Sequence, residues 1–389
     1  MQIHWFTTRS KSLMLCCLAA FSLCENYAII YCGSKDWTNY RHQADAGGMY
    51  KRLIDNNFKR DNIYFASYND VPFLSYNPHY GKLYNDLTHV DVYPGDENIQ
   101  YKGKDVTAET FYRMLTSIPS TQDDNLFVYY CDHGEIGYLC VPDGNGMPIL
   151  ADDLNNVLNT MYKLRKYKNL LFFIEACHSG SIGKRITAPH SITMVAAKEE
   201  ETSKSGDHDD TISLPINDLF TKHLLISLKE NPHYTINETF NAVKKAVTKH
   251  TVELYCNEDM KNMLVSDFIG IPSKQKPNLL ESRRPNVANI NYIKSEQEMI
   301  NSSNKKKFLS FMEKIVKQIS TDSITQLLTE IQDKTNDSCY FDSIRLLYKK
   351  VPQINREDFN KFSKVFYNLC AKYPKSKIID AIVILLQTN

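Results

Sequence analysis

The first two-thirds of the chain is punctuated by short, uninterrupted apolar runs. Tyr27–Cys32 (YAIIYC), Asn62–Ser67, Asn125–Cys131 (NLFVYYC), Asn169–Ala176 (NLLFFIEA) and Ser191–Ala197 each read as a strand buried on both faces. Turn-forming residues stop several of them: Gly33, Asn69-Asp70 and Asp132-His133-Gly134. Between them the spacing predicts helices over Tyr40–Asn57, Thr107–Ile118 and Leu150–Tyr167. The last carries Leu154, Val157, Leu158, Met161 and Tyr162 on one face. A short strand is expected at Tyr138–Val141, ahead of the Asp143-Gly-Asn-Gly turn. Strands alternating with helices imply an α/β fold whose mainly parallel sheet is covered on both faces. Toward the C-terminus the pattern becomes purely helical, with Phe308, Phe311, Met312, Ile315 and Ile319, then Ile344, Leu347, Tyr348 and Val351.

Composition sharpens this division. All 14 Gly lie at or before Gly270. Residues 1–273 carry 26 Lys+Arg and 33 Asp+Glu, a net of −7, whereas residues 274–389 carry 20 and 12, a net of +8. The stretch from Pro272 to Pro285 is the natural boundary between an acidic, loop-rich body and a basic helical tail. The overall net charge of +1 gives no support to a nucleic-acid binder. At the N-terminus, Arg9 and Lys11 precede the 13 uncharged residues Ser12–Cys24. That run is short for a bilayer span and has the form of a secretory signal. The expected organisation is therefore a signal peptide at 1–24, a body at 25–273, a linker at 274–304 and a helical domain at 305–389, with no stable membrane span in the mature chain. Asn237, Asn301 and Asn336 stand in glycosylation triplets, and Cys339 and Cys370 are candidates for pairing in an oxidising compartment.

Two strand ends carry reactive side chains. One is Asp132-His133-Gly134 and the other is Glu175-Ala-Cys177-His-Ser-Gly180-Ser181. Sites in such sheets lie beyond the carboxyl ends of the strands, where His133 and Cys177 would meet across 44 positions of sequence. A thiol beside an imidazole is an activated nucleophile, its base favouring thiolate, and Gly134 lets a backbone N–H approach the reacting oxygen. An isolated buried Cys or His has a purely structural role more often than a catalytic one. His133, Cys177 and His178 lack further ligands at metal-binding spacing, and no phosphate-binding glycine motif is present. No cofactor or metal is expected.

Three segments together resemble the legumain family, the asparaginyl endopeptidases of the caspase-like clan of cysteine peptidases. They are Trp37-Thr-Asn39-Tyr-Arg41-His42-Gln-Ala-Asp45, Tyr129-Tyr-Cys-Asp132-His133-Gly134 and Phe173-Ile-Glu175-Ala-Cys177-His-Ser179-Gly180-Ser181. The resemblance covers about residues 26–270 and includes Tyr101-Lys-Gly-Lys-Asp-Val-Thr107. It implies a caspase-like sheet followed by a small all-α prodomain. It further implies Cys177 as nucleophile, His133 as general base and acid, Asn39 orienting the imidazole, and Gly134 and Cys177 as oxyanion donors. Arg41, His42, Glu175, Ser203 and Asp218 fall where the family builds the pocket for the residue before the scissile bond. His178 departs from the Glu of many relatives. The implied activity is hydrolysis after Asn, and after Asp at acidic pH, by a zymogen of a lysosome-like or secretory compartment, with ligase side activity. The implied partners are protein and peptide substrates, the chain's own prodomain and cystatin-type inhibitors. Alternatives are a lipid-anchor transamidase and a catalytically inactive binding protein of the same fold.

Overall fold

The computed structural model describes residues 25–272, 308–330, 332, 335–350 and 354–387. The expected signal peptide and linker, with Asn301 and Val351, lie outside the described residues. The body runs β1 (Asn26–Cys32), α1 (Tyr40–Asp55), β2 (Ile63–Ser67), α2 (Ala108–Ser117), β3 (Asn125–Cys131), β4 (Gly134–Glu135), β5 (Tyr138–Leu139), β6 (Ile149–Leu150) and α3 (Ala151–Lys163). It continues through β7 (Asn169–Glu175), α4 (Gly180–Gly183), β8 (Ser191–Val195), β9 (His208–Asp209), β10 (Leu214–Pro215), α5 (Leu219–Glu230), α6 (Ile236–Ala246), β11 (Glu253–Tyr255) and α7 (Ser266–Ile269). The tail is helical: α8 over 308–319, α9 (Ile324–Thr329), α10 (Asp337–Lys350), α11 (Arg356–Lys372) and α12 (Lys375–Gln387).

Six strands form one sheet in the order β11-β8-β7-β3-β1-β2, parallel except for the edge strand β11. The apolar runs face both ways. Leu126, Val128 and Tyr130 of β3 point into one core, and Phe127, Tyr129 and Cys131 into the other. Two-sided burial is why these strands read as continuous rather than alternating. The first core is covered by α2, α3 and the tail helices, and the second by α1, α5, α6 and α7. Register then sets the site. Cys32 pairs with Cys131, and Cys131 with Glu175, so three adjacent strands end level. The segments starting at Gly33, Asp132 and Ala176 therefore leave the sheet side by side.

The expected helices and strands form: β3 has its expected bounds, β1 starts one residue earlier, and the others are shorter by one to four residues at an end. The Tyr138–Val141 strand shortens to Tyr138–Leu139 in a separate three-stranded sheet. Thr107 starts α2 as its N-cap, accepting the Thr110 N–H at 3.0 Å. The body elements without a sequence expectation are β4, β6, α4, β9, β10, α5, α6, β11 and α7. A Thr235–Glu238 capping box marks α6. Cys339 and Cys370 are disulfide-bonded and tie α10 to α11. Among the described residues no helix is long and apolar enough to cross a membrane.

Candidate active site

Cys177 and His133 leave neighbouring strands, β7 and β3, at the same level of the sheet. Gly134 lies directly behind the nucleophile: a Cβ there would meet the Cys177 carbonyl at 2.6 Å and Ala176 Cβ at 3.1 Å. Only glycine fits that approach. The Cys177 Sγ–H donates to the Ser203 carbonyl at 3.7 Å, and the next residue's N–H, on His178, donates to the Glu201 carbonyl at 2.8 Å. The loop after β8 thus fixes the turn that presents the thiol.

Asn39 closes a 3₁₀ turn, Trp37–Asn39, at the start of α1. Its Nδ2 donates to the Lys35 carbonyl at 2.8 Å, which turns Oδ1 toward His133 Nε2 at 2.9 Å. Facing an acceptor, Nε2 must carry the proton, which leaves Nδ1 with the lone pair. Asn39 therefore selects the tautomer as well as the ring orientation. The His42 ring packs edge-on against it, 4.9 Å between centroids.

Burial, opposed in part by Asp132, pushes the His133 pKa down to about 3; His42, Arg356 and Arg41 push the same way. Burial pushes the Cys177 thiol up to about 11. The expectation that the base would favour a standing thiolate is thus not met in this capped state. Desolvation disfavours both charges, and the resting pair is neutral thiol and neutral imidazole.

The five residues that the resemblance assigns to a pocket lie close together. Arg41 Nε donates to Asp218 Oδ1 at 2.8 Å, and His42 Nε2 lies 3.2 Å from Asp218 Oδ2. Ser203 Oγ donates to Glu175 Oε1 at 2.6 Å. Glu175 Oε2 accepts the Thr221 N–H at 3.0 Å and its hydroxyl at 3.1 Å. Asp218 occupies the N-cap position of α5, yet its side chain makes no cap there. Glu175 supplies the missing acceptor, so pocket and helix start are one construction. Asp45 completes it by accepting the Asp218 N–H at 2.8 Å from full burial. Asp45 lies in the first family-like segment with no role implied by it, and no sequence signal marks Thr221 or Ser34, whose hydroxyl lies 2.7 Å from His42 Nδ1.

Three buried carboxylates beside one guanidinium cannot all be ionised comfortably. Asp218 is drawn down to about 2, because Arg41 and His42 outweigh the effect of its burial. Burial, reinforced by Asp218, pushes Glu175 up to about 8, and burial also raises Asp45. A carboxyl raised in the folded state adds stability that is fully present below its unfolded pKa and is lost as pH rises through the folded value. The window for Glu175 runs from about 4.5 to about 8. The protein is expected to melt at lower temperature at pH 8 than at pH 5, and Glu175→Gln to flatten that decline. Equal slopes for the two proteins in thermal melts would contradict it.

His42, Asp132 and His133 are the grouping among the described residues with metal-ligand proximity, their donor atoms lying within 4.8 Å of one another. Of their ring nitrogens, His133 Nε2 faces Asn39, and His42 Nδ1 and Nε2 face Ser34 and Asp218. Asp132 is buried and strongly acidic: burial opposes its charge, but His42 and Arg356 outweigh it. Arg356 comes from the tail, 3.7 Å from Asp132 Oδ1.

Tail and body share further contacts. Arg345 reaches Asp152 at 2.6 Å and Asp153 at 2.8 Å. Tyr138 donates to Asn360 at 2.7 Å, Tyr340 donates to the Ile136 carbonyl at 2.8 Å, and Tyr138 packs edge-on against Phe359. One pair runs against the overall charge split: Arg185 of the body grips Asp337 of the tail through Nε at 2.9 Å and Nη2 at 2.8 Å.

Several known proteins are similar to this chain. "Hemoglobinase" of Schistosoma japonicum is 30% identical over 263 residues, 64% of this chain and 61% of that protein. "Legumain" of Homo sapiens is 26% identical over 404 residues, covering 91% of each. "Vacuolar-processing enzyme delta-isozyme" of Arabidopsis thaliana is 30% identical over 273 residues, 63% of this chain and 58% of that one. The chain thus spans about three-fifths of the Schistosoma and Arabidopsis proteins. A solved structure of caspase-1 from Spodoptera frugiperda aligns with 65% of this chain and 92% of its own at 14% identity, with a TM-score of 0.40. The model of the peptidase C13 family matches residues 26–272, a span that includes the whole sheet, Asn39, His133 and Cys177, and by that match this chain belongs to the peptidase C13 family.

Proposed function

We propose that the protein is a cysteine endopeptidase that cuts after Asn, and after Asp at acidic pH, and that its helical tail restrains it as a zymogen. The observation that carries the reading is the Asn39–His133 hydrogen bond at the level of Cys177, which leaves Nδ1 as the base. As Cys177 Sγ attacks the substrate carbonyl, its proton passes to His133 Nδ1. The oxyanion is met by the N–H groups of Gly134 and Cys177. His133 then gives its proton to the departing amine, leaving a thioester that water hydrolyses with the same residue as base. An amine in place of water would give the ligase reaction. Neutral reactants suit this sequence, because the charges form only in the transition state.

An Asn carboxamide offers one acceptor oxygen and an NH₂ with two donors. Arg41 supplies N–H donors beyond the one committed to Asp218, and Glu175, Ser203 and Asp218 supply oxygens. An ionised Asp substrate would face Asp218 and, above about pH 8, a charged Glu175. Its own protonation near a pKa of about 3.9 removes that repulsion. The experiment is a matched pair of fluorogenic peptides ending in Asn or Asp, assayed on acid-treated protein. Asn should be preferred at every pH, with the Asp rate rising relative to Asn as pH falls from about 6 to about 4. Preference for Lys, Arg or an apolar residue at that position would refute the pocket assignment. An acidic compartment of the secretory pathway fits the same chemistry, and the hemoglobinase, legumain and vacuolar-processing names support it.

A further inference from the structure

The pocket side of Cys177 is built from residues 39–45, 203 and 218–221. The opposite side is formed by the residues that follow the two oxyanion donors: Glu135 and Ile136 after Gly134, and His178 after Cys177. A cavity of about 740 Å³ opens there between body and tail. Glu135, His178, Glu199 and Glu200 line its body wall; Lys361 and Lys364 of α11 line its tail wall together with Glu330 and Glu357, and Lys361 is paired with Glu357 at 2.6 Å. The glutamates are not equivalent. Glu199 is engaged by Lys184 and by Arg185 at 3.2 Å. Among the described residues no Lys or Arg stands at ion-pair distance from Glu135 or Glu200. Glu135 has only the His178 imidazole, with Nε2 3.9 Å from its Oε2. Lys364 acts on Glu135 through its charge across the cavity.

Placing the Asn side chain in the proposed pocket and its carbonyl at the N–H groups of Gly134 and Cys177 would send the departing amine and the chain beyond it toward this acidic wall. We propose that Glu135 and Glu200 form a subsite for basic side chains on the first residues after the scissile bond, a wall that Lys361 and Lys364 face in the capped chain. The proposal rests on the endopeptidase reading and names the substrate class for its downstream side. Charge complementarity of this kind acts on specificity more than on total affinity.

The subsite should respond to pH. Burial raises Glu135, while His178 and Lys364 oppose the rise. Its other neighbours are Cys177, Tyr138, Tyr340 and, along the cavity, Glu199, Glu200 and the tail's Glu357. Burial holds His178 below the usual imidazole range, while acidification discharges Glu135, and that loss of charge weakens attraction for a cation.

The test compares quenched peptides that share one sequence through Asn and continue with Lys-Lys, Ala-Ala or Glu-Glu. Acid-activated protein is assayed at pH 6 and pH 4. The Lys-Lys to Glu-Glu ratio of kcat/KM should be about five- to tenfold or more at pH 6 and shrink toward pH 4. In Glu135→Gln/Glu200→Gln the ratio at pH 6 should fall toward one, and Glu135→Asp should restore most of it. A wild-type ratio near one, or a ratio unmoved in the double variant, overturns the subsite while leaving the endopeptidase standing. No cleavage of any of the three peptides removes the endopeptidase reading, and this one with it.

Discussion

Cys177→Ser and His133→Ala are each expected to lower peptidase activity by about four orders of magnitude or more, because nucleophile and base act as a unit. Serine keeps the shape of the site, but an alcohol is a far weaker nucleophile than a thiol, and the resting imidazole is a weak base at a pKa of about 3. Neither change should unfold the protein. Cys177 is half-buried, and its thiol contributes one long hydrogen bond to Ser203. Thermal melts within a few degrees of wild type separate lost chemistry from lost fold. A Cys177→Ser protein that kept more than about a tenth of the activity would displace the nucleophile. Asn39→Ala should cost less than either, since thiol and imidazole both remain and only the hydrogen bond that sets the ring's tautomer and orientation is lost.

The second large effect is activation by acid. At pH 7 the full-length chain should hydrolyse peptides slowly, because α11 holds Arg356 against Asp132 beside the base. Lowering the pH discharges some joints before others. Burial raises Asp152 although Arg345 opposes it, so the Arg345–Asp152 pair is an early one to weaken. Asp132 is held far below the usual carboxylate range and stays paired. Tail release then needs a cut as well as acid. Asn278, Asn286, Asn289, Asn291 and Asn301, all outside the described residues, are the candidate bonds. Incubation at pH 4 should remove about 10–13 kDa from the active protein and nothing from Cys177→Ala, with activity rising about 100-fold or more. Asp152→Asn should begin to activate at higher pH than wild type. A full-length chain already fully active at pH 7 would contradict the account of the tail.

Much of this was written in the sequence because the same residues that end strands also carry the chemistry. Asp132-His133-Gly134 and the turn around Cys177 break apolar runs at strand ends, and the pairing of Cys131 with Glu175 sets those ends level. The three quoted segments held all of the dyad and most of the pocket. Other parts depend on contacts between elements far apart in the chain. Nothing in a lone Thr221 marks it as a partner of Glu175, 46 residues away. Asp45 acts only because α1 crosses the start of α5. The charge split between body and tail suggested an electrostatic cap. It could not reveal the seam of Tyr138, Tyr340 and Phe359, or an Arg185–Asp337 pair of opposite sense. The thiolate expectation failed for a related reason. Proximity of thiol and imidazole is legible in a motif, whereas the desolvation that neutralises both is a property of everything packed around them.

The central claim is that Cys177 attacks the carbonyl of an Asn residue, and the most direct measurement is the mass of the product of that attack. Acid-activated protein is exposed to a peptide whose terminal Asn carries a thiol-reactive electrophile in place of the scissile bond. A matched peptide ending in Lys serves as control. The account predicts one adduct per chain, located by fragmentation on Cys177, absent with the Lys peptide and absent from Cys177→Ala. An adduct on another cysteine, or equal labelling by the Lys peptide, would contradict it.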